Sequence, residues 1–143
     1  YGRTVHSLMM AMSRWNTTFN FIAPEELKMP DEFKLYLENL GLKYYEHTDF
    51  TDIISKADII YMTRVQKERF SDPIEYEKVK NVYVLRNSML KNTKPSMRIL
   101  HPLPRVNEIN PDVDSNPKAY YFEQALNGVF TRQAILCKLM GIK

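Results

Sequence analysis

Apolar positions along this chain recur at two different spacings, and stretches of the two kinds alternate. In the first stretch the apolar residues follow one another at steps of three and four: Val5, Leu8, Met9, Met12 and Trp15. This spacing predicts a helix over 4–15 with one buried face. Short apolar runs at 19–22, 42–45 and 59–62 are typical of strands, with helical patterns between them. Strands that alternate with helices predict a parallel sheet.

The same alternation continues along the chain. Helical patterns cover 31–40 and 50–56, and Gly41 marks the end of the first of them. Two more apolar runs, at 82–85 and 97–100, raise the predicted number of strands to about five. Right-handed crossovers between parallel strands place helices on both faces of the sheet. The prediction is therefore an α/β, three-layer Rossmann-like domain with a mostly parallel sheet of about five strands flanked by helices.

Two stretches of the chain have no period, and one long helical pattern ends it. Residues 67–79 are broken by Ser-Asp-Pro at 71–73, which predicts a mobile loop. Residues 107–117 contain two prolines and are expected only to connect their neighbours. A helical pattern runs from 120 to 140 and stops at Gly141, so residues 120–141 are predicted to form a terminal helix. Its apolar residues are too many for a single face.

Length and composition fit one domain over 1–143. The net charge of +3 is small and scattered, which argues against a nucleic-acid partner. No stretch approaches the roughly 20 apolar residues that a membrane span needs, so no membrane partner is expected. Cys137 is the one cysteine, so an intrachain disulfide is excluded. Because Cys137 lies in an apolar helical run, we expect a buried and unreactive thiol.

Arg64 and Gln66 follow directly on the apolar run 59–62. We therefore expect both at the carboxyl end of a buried strand, the edge at which open α/β sheets bind ligands. A guanidinium is a planar, permanently charged fork that holds a carboxylate through two parallel hydrogen bonds. The same residues also fit a solvated cluster of surface charges that includes 67–69, and spacing alone does not separate the two interpretations.

The segment His-Pro-Leu-Pro-Arg at 101–105 follows another predicted strand and is expected at the same edge. Pro102 and Pro104 remove two backbone donors and restrict φ, so the carbonyls of this turn form a rigid set of acceptors, and Leu103–Pro104 is a candidate for a cis peptide. The alternative is an ordinary exit from a strand. Arg3, at the amino end of the first predicted helix, is a further candidate because that end favours anions. By itself, Arg3 also fits an exposed arginine beside a helix.

Four motifs, in one order, resemble a known family. They are Gly-Arg-Thr-Val-His-Ser at 2–7, Met-Thr-Arg-Val-Gln-Lys-Glu-Arg at 62–69, His-Pro-Leu-Pro-Arg at 101–105, and Gln-Ala-Leu-Asn-Gly-Val-Phe-Thr-Arg-Gln-Ala at 124–134. Together they resemble the C-terminal, aspartate-binding domain of aspartate carbamoyltransferases, over essentially the whole chain. The similar ornithine enzymes have a Ser-Met-Gly run in the second motif and His-Cys-Leu-Pro in the third. Arg64, Gln66 and Pro102 stand there in this chain, which fits an anionic substrate side chain.

The resemblance implies roles for three groups of residues. The residues that would hold the carboxylates of L-aspartate are Arg3, Arg64 and Gln66. The turn that would bind carbamoyl phosphate is Pro102, Leu103 and Pro104. The loop that would close over the active site contains Glu68, Arg69 and Glu75, which by sequence alone are solvated charges. The terminal helix, 120–141, would pack on a carbamoyl-phosphate domain.

The family reaction joins the amine of L-aspartate to the carbonyl carbon of carbamoyl phosphate and gives N-carbamoyl-L-aspartate and phosphate in pyrimidine biosynthesis. The resemblance also implies a cytoplasmic homotrimer with no metal or organic cofactor. In the sequence, His6, His47 and His101 are far apart, and no Ser or Cys stands in a motif with a base. We therefore expect no nucleophilic or general-base side chain, and catalysis by orientation and electrostatic stabilisation.

Carbamoyl phosphate would be shared with a second domain, so we expect the 143 residues alone to transfer no carbamoyl group. Two other interpretations stay open on the sequence. One is a non-catalytic amino-acid-binding or regulatory module with the same fold, because fold alone does not fix function. The other is a transcarbamylase for another acidic amino acid.

Overall fold

The computed structural model describes residues 2–65, 70, 72–80 and 82–142, and for residues 75 and 79 it describes the backbone alone. The chain divides into two units, Tyr1–Ile53 and Ile54–Lys143. Helices and parallel strands alternate in each unit, so the protein belongs to the α/β class.

The first unit is built on one pair of parallel strands. Its elements are helix α1 at Arg3–Met12, strand β1 at Phe19–Ile22, helix α2 at Asp31–Asn39, strand β2 at Tyr44–His47 and helix α3 at Thr51–Ile54, which crosses into the second unit. Phe19 lies opposite Tyr44, and Ile22 lies opposite His47. The buried apolar side chains of this unit are Met9, Leu27, Met29 and Leu37.

Helix α2 shows how local sequence sets its ends. Asp31 stands in its first turn, where a negative charge is stabilised by the helix dipole. At the other end Gly41 adopts φ +67, the left-handed conformation that glycine tolerates best. The N–H of Gly41 donates to the Glu38 carbonyl at 2.9 Å and that of Leu42 to the Leu37 carbonyl at 3.0 Å. These two bonds form a Schellman motif, which satisfies carbonyls left open at the helix end.

The second unit contains the other strand pair and the larger core. Its elements are strand β3 at Ile59–Tyr61, helix α4 at Pro73–Val79, strand β4 at Arg98–Leu100 and helix α5 at Tyr121–Leu139, with short 3-10 turns at Asn87–Leu90 and Pro111–Val113. Strands β3 and β4 are parallel, with Ile59 opposite Arg98 and Tyr61 opposite Leu100. The fully buried apolar side chains are Leu85, Met97, Ile99, Ile109, Val113 and Tyr121.

The strands differ in one respect from the prediction of a single sheet of about five. The described residues form two sheets of two strands each. The apolar run at 82–85 is not an extended strand, because only Leu85 pairs, through an isolated parallel bridge to Ile109. Within that run Leu85 is fully buried and Val82 is 57% exposed, and burial of an apolar residue does not by itself require a strand ladder.

Two segments predicted to be irregular have more structure than the sequence indicated. Within the predicted loop 67–79, helix α4 begins where Oδ1 of Asp72 accepts the Ile74 N–H at 2.8 Å, with Pro73 in the first turn. An aspartate at the N-cap followed by proline is typical of a helix start as well as of a turn. The prediction of a loop was therefore wrong for Pro73–Val79. Similarly, the segment 107–117 does more than connect, because it places Ile109 in the core.

Helix α5 exposes most of its apolar side chains. Those at least 48% exposed are Phe122, Leu126, Val129, Phe130, Ile135, Leu136 and Leu139. Cys137 is also exposed, so the expectation of a buried thiol was wrong. The reason is that only Tyr121, at the start of α5, enters the core. Among the described residues, no helix is long and apolar enough to cross a membrane.

Candidate functional site

The carboxyl ends of β3 and β4 meet at one edge of their sheet. The N–H of Met62 donates to the Leu100 carbonyl at 2.9 Å, so the segments that follow the two strands leave the sheet side by side. A single cavity of about 50 Å³ lies between these segments. It is lined by Arg64 from one segment and by Val106 and Asn107 from the other. Tyr76, in α4, and Lys80, the residue after α4, also line it. The chain that contains the second motif, 62–69, and the chain that follows the third motif, 101–105, therefore border the same cavity.

Two positively charged side chains line the cavity, which suits it to an anion. One of them, Arg64, is an exposed residue. Lys80 contributes a second positive charge, which is shared with Glu77 in an ion pair. A ligand with two or more acidic oxygens could bind the planar guanidinium of Arg64 and the ammonium group of Lys80. The predicted ligand Gln66 and the predicted closure residues Glu68 and Arg69 lie outside the described residues, as does the side chain of Glu75.

The turn that follows β4 has an unusual backbone. The Leu103–Pro104 peptide is cis, and Leu103 adopts φ +50. A leucine rarely occupies this left-handed region, because its Cβ approaches the following carbonyl oxygen. The N–H of Leu103 donates to Nδ1 of His101 at 2.8 Å. The turn is therefore held by a side chain from its own first residue.

His101 is in turn held by a carboxylate. Its Nε2 lies 2.7 Å from Oε1 of Glu108, and the two side chains are 1% and 3% exposed. Oε2 of Glu108 accepts the N–H groups of Val106 and Asn107 at 3.1 and 3.0 Å. Burial raises the pKa of Glu108, but the hydrogen bonds from His101 and the backbone outweigh burial and hold that pKa below its usual value. Glu108 is therefore an ionised acceptor at neutral pH.

The last residue of the motif, Arg105, is tied to the segment that follows. Its two terminal nitrogens donate to the two carboxylate oxygens of Asp114, and Oδ1 of Asp114 also accepts the hydroxyl of Tyr121. Its guanidinium lies 5.5 Å from the centre of the Tyr121 ring. Arg105 holds the pKa of Asp114 below its usual value, whereas burial, with help from Asp114, raises the pKa of Tyr121 to about 12. This cluster fixes the far end of the turn.

Sequence reasoning did not single out Glu108 or Asp114, and it gave Gln124 no role. All three contact the turn: Glu108 bonds to a residue seven positions earlier, Asp114 to one nine positions earlier and Gln124 to one 23 positions earlier. Oε1 of Gln124 accepts the N–H of His101 at 3.0 Å. The available signal for Glu108 was a carboxylate beside Ile109 in an otherwise irregular segment, but the partner that permits its burial is visible only in three dimensions.

Arg3 belongs to the first unit and is the first residue of α1. Its predicted convergence with Arg64 stays a prediction. A larger groove of about 720 Å³ in the same unit is lined by several carboxylates, among them Glu25, Glu46 and Asp49. Lys28 also lines this groove and is paired with Glu25. Among the described residues, no group of three His, Cys, Asp or Glu side chains could hold a metal ion.

Comparison with known proteins gives one consistent result. Residues 1–139 match the family model "Aspartate/ornithine carbamoyltransferase, Asp/Orn binding domain". The aspartate carbamoyltransferase catalytic subunit of Bacteroides thetaiotaomicron is 68% identical over 143 residues, which are 99% of this chain and 46% of that protein. This chain therefore spans about half the length of the curated relatives it matches.

Solved structures agree with the sequence relatives. The catalytic subunit of M. jannaschii aspartate transcarbamoylase is 44% identical with a TM-score of 0.90, over 99% of this chain and 47% of that one. Aspartate transcarbamoylase from Trypanosoma cruzi, solved in complex with N-(phosphonacetyl)-L-aspartic acid, is 31% identical with a TM-score of 0.83, over 94% of this chain and 44% of that one.

Proposed function

This chain belongs to the aspartate/ornithine carbamoyltransferase family, in its Asp/Orn-binding domain, and from that premise we propose that it supplies the aspartate-binding half of an aspartate carbamoyltransferase. The observation that carries the proposal is the shared cavity of Arg64 with Val106 and Asn107, directly after the His-Pro-Leu-Pro-Arg turn. A guanidinium is suited to a carboxylate, and the residues that share its cavity directly follow a turn whose carbonyls would orient nitrogen groups.

Aspartate is preferred over ornithine as the amino-acid substrate. Arg64 would repel the side-chain amine of ornithine, whereas it attracts a second carboxylate. The relatives named above are aspartate enzymes, and the Trypanosoma cruzi protein has been solved with aspartate and phosphate. These names and the charge of the cavity support the same substrate.

In the proposed reaction, the amine nitrogen of aspartate forms a bond to the carbonyl carbon of carbamoyl phosphate. The bond from that carbon to the phosphate oxygen breaks, and the departing phosphate takes up the proton that the amine loses. Arg3, Arg64 and Gln66 would hold the aspartate carboxylates. The turn Pro102, Leu103 and Pro104 would orient the amine and the carbamoyl group through its backbone carbonyls. Orientation of this kind can supply a large share of the rate enhancement without a nucleophilic side chain.

The rest of the site would come from outside this chain. We propose that carbamoyl phosphate is shared with a second domain, that Glu68, Arg69 and Glu75 take part in closure over both substrates, and that the apolar face of α5 packs on that domain. The working enzyme would be a cytoplasmic homotrimer. A mostly parallel sheet of about five strands behind the site also stays part of the proposal, since the four described strands occur in two pairs.

The test uses a catalytic chain of full family length, made by joining residues 1–143 to the amino-terminal half of the Bacteroides thetaiotaomicron relative; we call it the joined chain. Arg64→Ala should raise KM for aspartate by about 10- to 100-fold, the worth of one charge-assisted contact, and leave the affinity for carbamoyl phosphate unchanged. Arg86→Ala, at an exposed arginine of the same unit, is the matched control. Equal weakening of both substrates would contradict the proposal.

A second measurement concerns the chain by itself. The 143 residues should produce no carbamoylaspartate in a steady-state assay and should bind aspartate only weakly, because half of the enclosure that the relatives provide is not in this chain. Carbamoylaspartate formation by the purified 143-residue chain would contradict the proposal that carbamoyl transfer needs a second domain.

A further inference from the structure

We propose that His101 and Glu108 are positioning residues: a neutral imidazole, locked between the Leu103 N–H and the Glu108 carboxylate, sets the direction of the Pro102 carbonyl. This inference rests on the proposed function, in which that carbonyl orients a nitrogen of the reacting groups. Neither side chain would touch a substrate, because His101 and Glu108 are 1% and 3% exposed.

The hydrogen bonds define the state of the imidazole. Nδ1 of His101 accepts the Leu103 N–H at 2.8 Å, so Nδ1 carries no proton. A neutral imidazole has one donor and one acceptor, and the proton therefore resides on Nε2, which faces Oε1 of Glu108 at 2.7 Å. A second proton on the ring would place Nδ1–H against the Leu103 N–H. The surroundings thus select one tautomer and one charge.

All four polar side-chain atoms of the pair are satisfied although the pair is buried. Oε2 of Glu108 accepts the backbone N–H groups of Val106 and Asn107, and these complete the bonds that Oε1, Nε2 and Nδ1 make. A buried charge without such partners is strongly unfavourable, and a fully satisfied network is rigid. The pair therefore gives the turn a fixed support.

Peptide geometry transmits this support to the site. The Leu103 N–H and the Pro102 carbonyl belong to one planar peptide unit, and in a trans unit the two groups point in opposite directions. Only Leu103–Pro104 is cis among the described residues, so the unit between Pro102 and Leu103 is trans. Because the N–H points to the buried imidazole, the Pro102 carbonyl points away from it, and Pro102 itself is exposed. Fixing the ring fixes the carbonyl.

Two substitutions of His101 distinguish a role in positioning the Pro102 carbonyl from a role in core packing alone. His101→Asn places an amide oxygen near the position of Nδ1 and can still accept the Leu103 N–H, but it loses Glu108. His101→Gln reaches toward Glu108 and leaves the Leu103 N–H without the Nδ1 acceptor. In the joined chain we expect His101→Gln to lower kcat by about 10-fold or more with KM for aspartate changed by less than about 3-fold, and His101→Asn, which keeps the Leu103 contact but loses Glu108, to lower kcat less than His101→Gln does.

The outcomes are distinguishable. Equal loss of kcat in both variants would overturn the inference, as would a loss confined to KM. A joined chain that is inactive without any substitution counts against the proposed function instead. For that case, or for variants that fail to fold, two-bond ¹H–¹⁵N spectra of the unsubstituted 143-residue chain decide: the inference requires a proton on Nε2 and none on Nδ1 at neutral pH. A charged ring or an Nδ1–H tautomer would overturn it.

Discussion

Gln124 and His101 are joined by one hydrogen bond that links the first turns of α5 to the start of the functional turn: Oε1 of Gln124 accepts the His101 backbone N–H at 3.0 Å. His101 follows β4 directly, so its N–H is the first backbone donor beyond that strand. The long helix thereby helps to set where the turn begins.

Removing this acceptor should destabilise the fold. Gln124→Leu leaves the part-buried N–H of His101 without its partner, and we expect the free energy of unfolding to fall by about 1 kcal/mol. Gln124→Glu keeps an acceptor oxygen and should lose less. Urea unfolding measures both. Gln133→Leu, at an exposed position of the same helix, is the control, and a loss there equal to that of Gln124→Leu would count against a role for the bond.

The ion pair of Asp114 with Arg105 predicts a particular pH dependence. Arg105 lowers the pKa of Asp114 in the folded state, so the pair stabilises the fold above the unfolded pKa of about 3.9, and this stabilisation is lost as pH falls through the lower folded pKa. Asp114→Asn should cost about 1 kcal/mol at neutral pH, since the pair is partly exposed, and the difference from the unsubstituted chain should shrink below about pH 4.

Thermal or urea unfolding at several pH values tests this prediction. Asp31→Asn is the matched comparison: the pKa of Asp31 is also lowered, by Lys34, but its side chain is 88% exposed. We expect Asp31→Asn to have a smaller effect than Asp114→Asn at neutral pH. If the cost of Asp114→Asn persisted unchanged in acid, its cause would be packing and not charge.

How far the sequence predicts this protein depends on how local the cause of each feature is. The run 19–22 is a strand with the predicted bounds, and α2 lies within the predicted 31–40, because alternation, a first-turn acid and Gly41 all act within a few residues. Helix α4 was mistaken for a loop because the same Asp-Pro pair that breaks a chain also begins a helix.

Features that depend on how side chains are arranged in three dimensions were not predictable in this way. A buried Glu108 is unfavourable unless His101 and two backbone N–H groups surround it, and no periodicity records that arrangement. Cys137 lies in an apolar stretch that would be buried in most small domains, whereas in α5 that stretch is exposed. The edge shared by Arg64 and the turn after β4 was expected, since parallel neighbours bring their carboxyl ends together.

The left-handed conformation of Leu103 makes its side chain a test of backbone strain. A β-branched residue at φ +50 is strongly disfavoured, while asparagine adopts this region more readily. Leu103→Val should lower the free energy of unfolding by about 1 kcal/mol or more relative to Leu103→Asn, although valine is the more hydrophobic residue. Urea unfolding of the two variants gives the comparison directly.

Position 106 supplies the control for that pair. Val106 is 73% exposed and does not lie in the left-handed region. At position 106, asparagine should therefore not raise the free energy of unfolding relative to valine, in contrast to what is expected at position 103. If asparagine were equally favourable at both positions, the effect at Leu103 would not come from the backbone.

The exposed face of α5 makes a prediction about Cys137 that also tests the proposed packing on a second domain. Thiol labelling requires access, and Cys137 is exposed in the 143-residue chain. A maleimide should therefore label the folded chain at a rate close to that of the chain unfolded in urea, and Cys137→Ser should abolish labelling. In the joined chain, α5 can bury its apolar side chains against the added half, because contiguous exposed apolar residues favour association. Labelling should slow there, and equally fast labelling in both chains would show that α5 remains uncovered.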